Sequence, residues 1–122
     1  MSILEPGRIR ALYMVELIVA DWTMSVAWYR DLLDLAPVLS DEVKQFALFE
    51  IGGGRLALKA GAPQPGNGQL AFEVDDLLGL LKHLADRHIV SEGPIQDSPE
   101  GYRRAVIRDP DGHRLCLFEW QR

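Results

Sequence analysis

Met-Val-Glu-Leu-Ile-Val-Ala-Asp, at residues 14–21, recurs in pattern as Gln-Leu-Ala-Phe-Glu-Val-Asp-Asp at residues 69–76. In both stretches apolar residues alternate along a predicted strand, and an Asp then offers its side chain as the N-cap of a helix. Downstream, residues 54–58 align with residues 112–117 when one extra residue is allowed in the turn. The chain therefore contains two copies of one strand–helix–strands unit. We expect the functional site where equivalent positions of the two copies face each other.

The composition of the 122-residue chain is that of a globular protein, with 48% hydrophobic and 25% charged residues. Its formal net charge of −5 indicates no basic surface for nucleic acid, and no apolar run approaches the roughly 18 residues of a membrane span. Residues 1–6 do not read as the start of a signal peptide. The single cysteine, Cys116, excludes an internal disulfide. We therefore expect one domain over residues 1–122, located in the cytoplasm, with neither nucleic acid nor a membrane as a partner.

The turn and helix signals divide the chain into two modules. Module one covers about residues 10–60, a linker with two Pro and three Gly covers residues 61–68, and module two covers about residues 69–120. We expect a helix of about a dozen residues after Asp21 and a second helix from Leu77 to about Arg87. Two strand pairs complete the modules: residues 46–51 with 55–59, and residues 102–108 with 114–120.

Two further stretches, together with residues 70–76, carry a family resemblance. Residues 25–35 read Ser-Val-Ala-Trp-Tyr-Arg-Asp-Leu-Leu-Asp-Leu, close to the pattern Ser-x-x-Phe-Tyr-x-x-x-Leu-Gly-Leu, and residues 108–115 read Arg-Asp-Pro-Asp-Gly-His-Arg-Leu. With residues 70–76 they resemble the vicinal oxygen chelate superfamily, which includes glyoxalase I, extradiol dioxygenases, fosfomycin-resistance proteins and bleomycin-resistance binding proteins. The match runs from about Leu12 to Glu119, and Asp34 departs from it where the family usually has Gly.

The resemblance implies an α+β fold. Two βαβββ modules would form a curved, mostly antiparallel eight-stranded sheet with one helix outside each half. Relatives commonly pair as dimers, so the resemblance also implies a homodimer. It says less about the reaction, because one fold hosts many functions.

Metal-dependent relatives hold a divalent ion in the cupped sheet with His, Glu or Gln ligands, one from each equivalent strand. Carried over by position, the resemblance places Met14, Ala57, Gln69 and Cys116 at the ligand positions, with one residue of uncertainty around Ala57. These side chains do not suit a hard divalent ion, which prefers several carboxylate or imidazole donors. We therefore predict no metal and no other cofactor.

Three polar residues are candidates for contacts with a ligand. Glu16 shares a predicted strand face with Met14 and is either a general base and ligand anchor or a rim carboxylate paired with an Arg. Gln69 either orients a ligand carbonyl or hydrogen-bonds a neighbouring strand. Among the arginines crowded on the last hairpin, we select Arg104 to bind a ligand carboxylate in bidentate geometry, while most of the others are expected to be solvated.

Aromatic residues supply the walls of the expected site, and we select Phe49 and Phe118 to line the cup. The ligand-binding residues predicted from the sequence are Met14, Glu16, Phe49, Ala57, Gln69, Arg104, Cys116 and Phe118. The favoured function is metal-independent binding of a small organic molecule, as in the bleomycin-resistance type. The alternative is a glyoxalase-like lyase or isomerase, or a dioxygenase-like enzyme, that uses Glu16 as a base or metal ligand.

Overall fold

The computed structural model describes residues 7–121 and confirms the α+β class with two repeated modules. The chain divides into two compact units, one ending at Gly61 and the other beginning at Ala62. The elements of the first unit are β1 (Val15–Val19), α1 (Trp22–Leu33), β2 (Leu39–Asp41), β3 (Phe46–Ile51) and β4 (Gly54–Ala60). Those of the second are β5 (Gln69–Glu73), α2 (Leu77–Ala85), β6 (Gln96–Asp97), β7 (Tyr102–Arg108) and β8 (Arg114–Trp120).

Each unit contains a four-stranded sheet with the same topology, β1-β4-β3-β2 in the first and β5-β8-β7-β6 in the second. The first strand of each unit pairs in parallel with the last, and the other two pairings are antiparallel. The sheets are therefore mostly antiparallel, as the resemblance implies. The match in strand order shows that the repeat read from residues 14–21 and 69–76 extends to the whole module.

Helix α1 begins where the sequence predicts. The Asp21 side chain accepts a hydrogen bond from the Met24 amide at 3.1 Å, so it caps the first turn. The helix ends at Asp34, which adopts a left-handed conformation with φ 54° while its amide donates to the Arg30 carbonyl. The Trp22 indole donates to the Leu58 carbonyl of β4 at 3.2 Å and so ties the start of the helix to the sheet.

The residues that α1 covers lie on one face of the first sheet. Strand register places Leu17 and Ala47 on either side of Leu58, and all three share a face. Ala47 and Leu58 are fully buried, as are Val19 on the edge strand and Tyr29 on the helix. This face and the apolar stripe of α1 form the core of the first unit.

Helix α2 is anchored in the same way. Asp76 caps it by accepting from the Gly79 amide at 3.0 Å, and Glu119 of β8 accepts from the Leu77 amide at 2.8 Å. Leu115 and Leu117 lie on the same face of β8 as Glu119 and are almost completely buried. The face of the second sheet that carries these residues is therefore the one that α2 covers.

Two short strands are not apparent in the sequence. Strands β2 and β6 have three and two residues, lie at the sheet edges and include Ser, Asp and Gln. A stretch of this length is too short to show the alternation that identifies a strand.

The two helices within residues 7–121 are too short to cross a membrane. The interpretation of residues 1–6 lies outside the described residues, and the organisation of the chain as one domain stays a prediction.

Candidate functional site

The face of the first sheet opposite α1 carries two of the predicted site residues. Register aligns Glu16 of β1 with Ala57 of β4, and Ala57 in turn with Leu48 of β3. We call this the first open face and define it by Glu16, Leu48 and Ala57. Glu16 is exposed, Leu48 is half-buried and Ala57 is buried, whereas Met14 lies one residue before β1 and is half-buried.

Phe49 does not belong to the first open face, so its selection as a cup-lining residue is corrected. It aligns with Leu56, which aligns with Val15, and these residues point to the side that α1 covers. Phe49 is fully buried and contributes to the core of the first unit. The sequence does not reveal which side of β3 faces the helix, and Leu48, the neighbour of Phe49, lies on the open face.

The face of the second sheet opposite α2 brings the other four predicted residues together. Gln69 aligns with Arg114, Ala71 with Cys116, and Phe118 with both Glu73 and Arg104. Because β8 alternates, positions 114, 116 and 118 share one side. We call this the second open face and define it by Gln69, Ala71, Glu73, Arg104, Val106, Arg114, Cys116 and Phe118. Gln69, Arg104, Cys116 and Phe118 are therefore members of one surface.

Hydrogen bonds orient the polar side chains of this surface. The Arg114 Nε donates to Gln69 Oε1 at 2.7 Å, and the Arg104 Nη2 donates to Gln96 Oε1 at 3.3 Å. In both pairs the acceptor is a neutral amide. The Gln69 side chain thus corresponds to one of the two alternatives that the sequence left open, a hydrogen bond to the neighbouring strand.

An aromatic cluster lies beside Arg104. Tyr102, Phe118 and Trp120 make edge-to-face contacts with one another, each with ring centroids 5.5 Å apart. Tyr102 and Phe118 are half-buried, while Trp120 keeps 40% of its surface exposed. The second open face therefore offers an accessible apolar surface directly next to a guanidinium.

A cavity of about 170 Å³ opens on the second unit. Its lining includes Arg104, Val106 and Arg114 from the second open face, and Glu92, Pro94 and Gln96 from the chain before β7. Arg114 was not selected from the sequence, because the arginines of the last hairpin could not be separated by composition. The available signal was its alternation with Cys116 and Phe118 on one strand.

Comparison with known proteins identifies the family. The model of the Glyoxalase/Bleomycin resistance protein/Dioxygenase superfamily matches residues 11–117. The chain belongs to this superfamily. A search of curated proteins found no match.

Solved structures of the superfamily share the fold. A glyoxalase/bleomycin resistance protein from Catenulispora acidiphila is 23% identical with a TM-score of 0.69, and covers 89% of this chain and 98% of its own. A superfamily member from Sphaerobacter thermophilus is 22% identical with a TM-score of 0.76, and the alignment covers 91% of this chain and 98% of that protein. A lactoylglutathione lyase from Agrobacterium tumefaciens is 23% identical with a TM-score of 0.73, and the alignment covers 92% of this chain and 95% of that protein. At this level of identity the likeness shows the fold alone.

The residues at the superfamily's metal-ligand positions do not fit a divalent ion. Ala57 has no donor atom, the Cys116 thiol is buried, and the Gln69 oxygen already accepts from the cationic Arg114. Met14 offers only a thioether, which is a soft and weak donor for such an ion. Across residues 7–121, no three His, Cys, Asp or Glu side chains converge in a group that could hold a metal.

Proposed function

We propose that this superfamily member binds a small organic molecule on the second open face without a metal ion. The observation that carries the proposal is the donor set at the four ligand positions. Chemistry of the glyoxalase and dioxygenase type needs a metal to polarise vicinal oxygens or to activate oxygen. A site with a methyl group, a thioether, a buried thiol and an engaged amide lacks the hard donors that such an ion requires.

The contacts available for binding are of two kinds. Phe118 and its two edge-to-face aromatic neighbours provide an apolar surface, and the buried side chains of Val106 and Cys116 follow it along the same face. Arg104 and Gln69 provide polar anchors at separate positions on the same face. A mostly apolar surface with a few oriented polar groups is the usual composition of a site for a small organic ligand.

Elemental mass spectrometry tests the metal-independent part of the proposal. The protein is purified without chelators and without a metal-binding tag, and we expect no stoichiometric Mn, Fe, Ni or Zn. A thermal-shift screen of the metal-free protein with small aromatic compounds then tests binding, since a ligand that binds only the folded state raises Tm. Near-stoichiometric metal in the purified protein would contradict the proposal.

A second candidate function is an enzyme with Glu16 as a general base. Within residues 7–121 the Glu16 carboxylate has neither a hydrogen bond nor an ion pair, and it is exposed beside Ala57 on the first open face. A carboxylate that no arginine neutralises is available to accept a proton from a bound substrate. Glu16→Gln separates this role from simple binding, because it preserves the shape of the side chain and removes the base.

We also propose that the protein forms a homodimer. The segment that leads into the edge strand β1 carries three exposed apolar side chains: Ile9 is 93%, Leu12 86% and Tyr13 59% accessible. Exposed apolar residues next to an unpaired strand edge are commonly covered by a second chain. Light scattering coupled to size-exclusion chromatography measures the mass, and a monomer at all concentrations would contradict this proposal.

A further inference from the structure

Two half-buried arginines lie on the second open face without a counter-ion. Arg104 and Arg114 each have a neutral glutamine oxygen as their hydrogen-bond partner, Gln96 and Gln69 respectively. In the described part of the chain, neither guanidinium forms an ion pair with a carboxylate. A partly desolvated cation is more stable when an anion lies close to it.

The carboxylate that shares the cavity with these arginines is already paired. Glu92, which also lines the cavity, accepts from the Arg108 Nε at 2.7 Å. Arg108 additionally donates to the Gly112 carbonyl at 3.1 Å. The charge of Glu92 is therefore balanced by Arg108 and does not neutralise Arg104 or Arg114. Glu73, which is also on the second open face, lies on the other side of Phe118 from Arg104.

Both arginines line the same cavity. Along β7 and β8 the pair formed by Val106 and Cys116 lies between them, with Arg104 toward the aromatic cluster and Arg114 toward the hairpin turn. Like charges that share one cavity repel each other, and an anion between them would convert this repulsion into attraction. At about 170 Å³ the cavity has room for a small anionic group.

We propose that Arg104 and Arg114 form an anion subsite, which takes the oxyanion group of a small organic acid, either a carboxylate or a phosphate ester. This inference rests on the proposed binding function and specifies the chemical class of its ligand. The hydrogen bonds to Gln96 and Gln69 engage Nη2 of Arg104 and Nε of Arg114. The remaining N–H groups are available for the paired, charge-assisted hydrogen bonds that guanidinium forms with oxyanions. The aromatic cluster beside Arg104 would contact the apolar body of the acid.

The test compares probes that have similar shape and different charge. Benzoate and phenyl phosphate represent the two oxyanions, benzamide is the neutral counterpart of benzoate, and benzylamine is a cation. Binding to the full-length protein is measured by isothermal titration calorimetry. The variants are Arg104→Gln and Arg114→Gln, with circular dichroism to confirm that each is folded.

Arg103→Gln is the matched control. Arg103 is adjacent to Arg104 on β7, but it points to the opposite face, where it pairs with Asp97 at 3.6 Å. The control removes the same charge from the same strand and leaves the second open face unchanged. Any general effect of lost positive charge would therefore appear in all three variants.

The expected result is that at least one oxyanion binds more tightly than benzamide and benzylamine. Arg104→Gln and Arg114→Gln should each weaken its binding by about tenfold or more, while Arg103→Gln changes it by less than about twofold. Preference for benzoate over phenyl phosphate, or the reverse, identifies the oxyanion. Arg104→Lys provides a second variant, and it should bind more weakly than the wild type because lysine lacks the planar fork.

Three results would overturn the subsite. If benzamide binds as tightly as benzoate and the arginine variants behave like the control, the anion subsite is wrong and the binding function remains. The same conclusion follows if neutral compounds of the thermal-shift screen bind while no oxyanion binds at millimolar concentration. If no compound of any charge binds, both the subsite and the proposed function are wrong.

Discussion

Gln69 and Arg114 are joined by a 2.7 Å hydrogen bond between the first residues of the parallel strands β5 and β8. The sequence resemblance predicts Gln69 at a position where metal-dependent members of the superfamily carry a ligand. Its oxygen, the only atom that could ligate a metal, already accepts from a guanidinium. A divalent ion at this position would therefore compete with a permanent positive charge.

This relationship leads to a prediction about restored ligands. The double variant Gln69→His, Cys116→Glu places an imidazole and a carboxylate on adjacent strands, at diagonal positions of one face. We expect it to bind Zn²⁺ or Ni²⁺ after dialysis, as measured by elemental mass spectrometry. Each single variant is a control and should retain little metal. A folded double variant that remains free of metal would show that the positions carried over from the superfamily are wrong.

The two faces of β3 lead to a prediction about stability. Phe49→Ala removes a fully buried ring from the core of the first unit and should lower the free energy of unfolding by about 3–5 kcal/mol. Leu48→Ala, at the half-buried position next to it, should cost about 1–2 kcal/mol. Urea denaturation followed by tryptophan fluorescence measures both. A larger loss for Leu48→Ala than for Phe49→Ala would contradict the assignment of the faces.

The predictable part of the fold was the part with strong local signals. Asp21 and Asp76 cap their helices as expected, and the strands from Tyr102 to Arg108 and from Arg114 to Trp120 have the predicted bounds. The edge strands β2 and β6 were missed, because strands of two or three residues depend on their pairing partner rather than on a pattern of their own.

The side of the sheet on which a candidate residue lies was predictable where the internal repeat fixed the alternation of the strand. Gln69 and Cys116 could be placed by the internal repeat, and the register puts both on the second open face. Phe49 was misplaced because alternation within one strand does not tell which of its two sides a helix covers. The role of Arg114 depends on a cavity whose other wall, at Pro94, comes from an irregular segment. Such a segment carries no periodic signal.

Glu16, on the first open face, provides a prediction for the second candidate function, whose ligand would contact this carboxylate. Glu16→Ala should weaken a ligand that donates a hydrogen bond to this carboxylate by about 1–3 kcal/mol, if the contact excludes water. Glu42→Ala is the matched control, because Glu42 is exposed in the loop after β2. Isothermal titration calorimetry with a ligand from the screen measures the difference. Equal affinity of the Glu16 variant and the control would exclude Glu16 from the site.

If the protein is an enzyme, Glu16→Gln should abolish turnover and leave ligand affinity within about threefold of the wild type. The glutamine keeps the size and the acceptor oxygen of the original side chain and cannot take up a proton. Full activity of this variant in an assay of the identified substrate would rule out Glu16 as the base.

The end of α1 provides a prediction independent of function. Asp34 has φ 54°, a conformation that is strained for residues with a Cβ, and its carboxylate lies at the negative end of the helix dipole. Asp34→Gly should therefore raise the free energy of unfolding by about 0.5–1 kcal/mol. Asp34→Asn removes only the charge and should give a smaller gain, and Asp34→Ala should be destabilising. Thermal denaturation orders the three variants, and a loss of stability in Asp34→Gly would contradict the expectation.

The turn between β7 and β8 determines which residues of β8 lie on the second open face. The Asp109 side chain accepts from the Asp111 and His113 amides at 3.0 and 2.8 Å, and the Asp109 amide donates to the His113 carbonyl. This connection has five residues, 109–113, whereas its counterpart between β3 and β4 has two, 52–53, yet the aligned positions Ala57 and Cys116 both lie on open faces. The hydrogen bonds of Asp109 thus hold the additional residues inside the turn.

The length of this turn determines which residues of β8 face each side of the sheet. Side chains alternate along β8, so a slip of its register by a single residue would exchange its two sides. Leu115 and Leu117 would move into solvent, and Arg114 and Cys116 would enter the core under α2. The length of the turn, although its residues lie outside both faces, therefore decides which side chains of β8 pack under α2 and which lie on the open face.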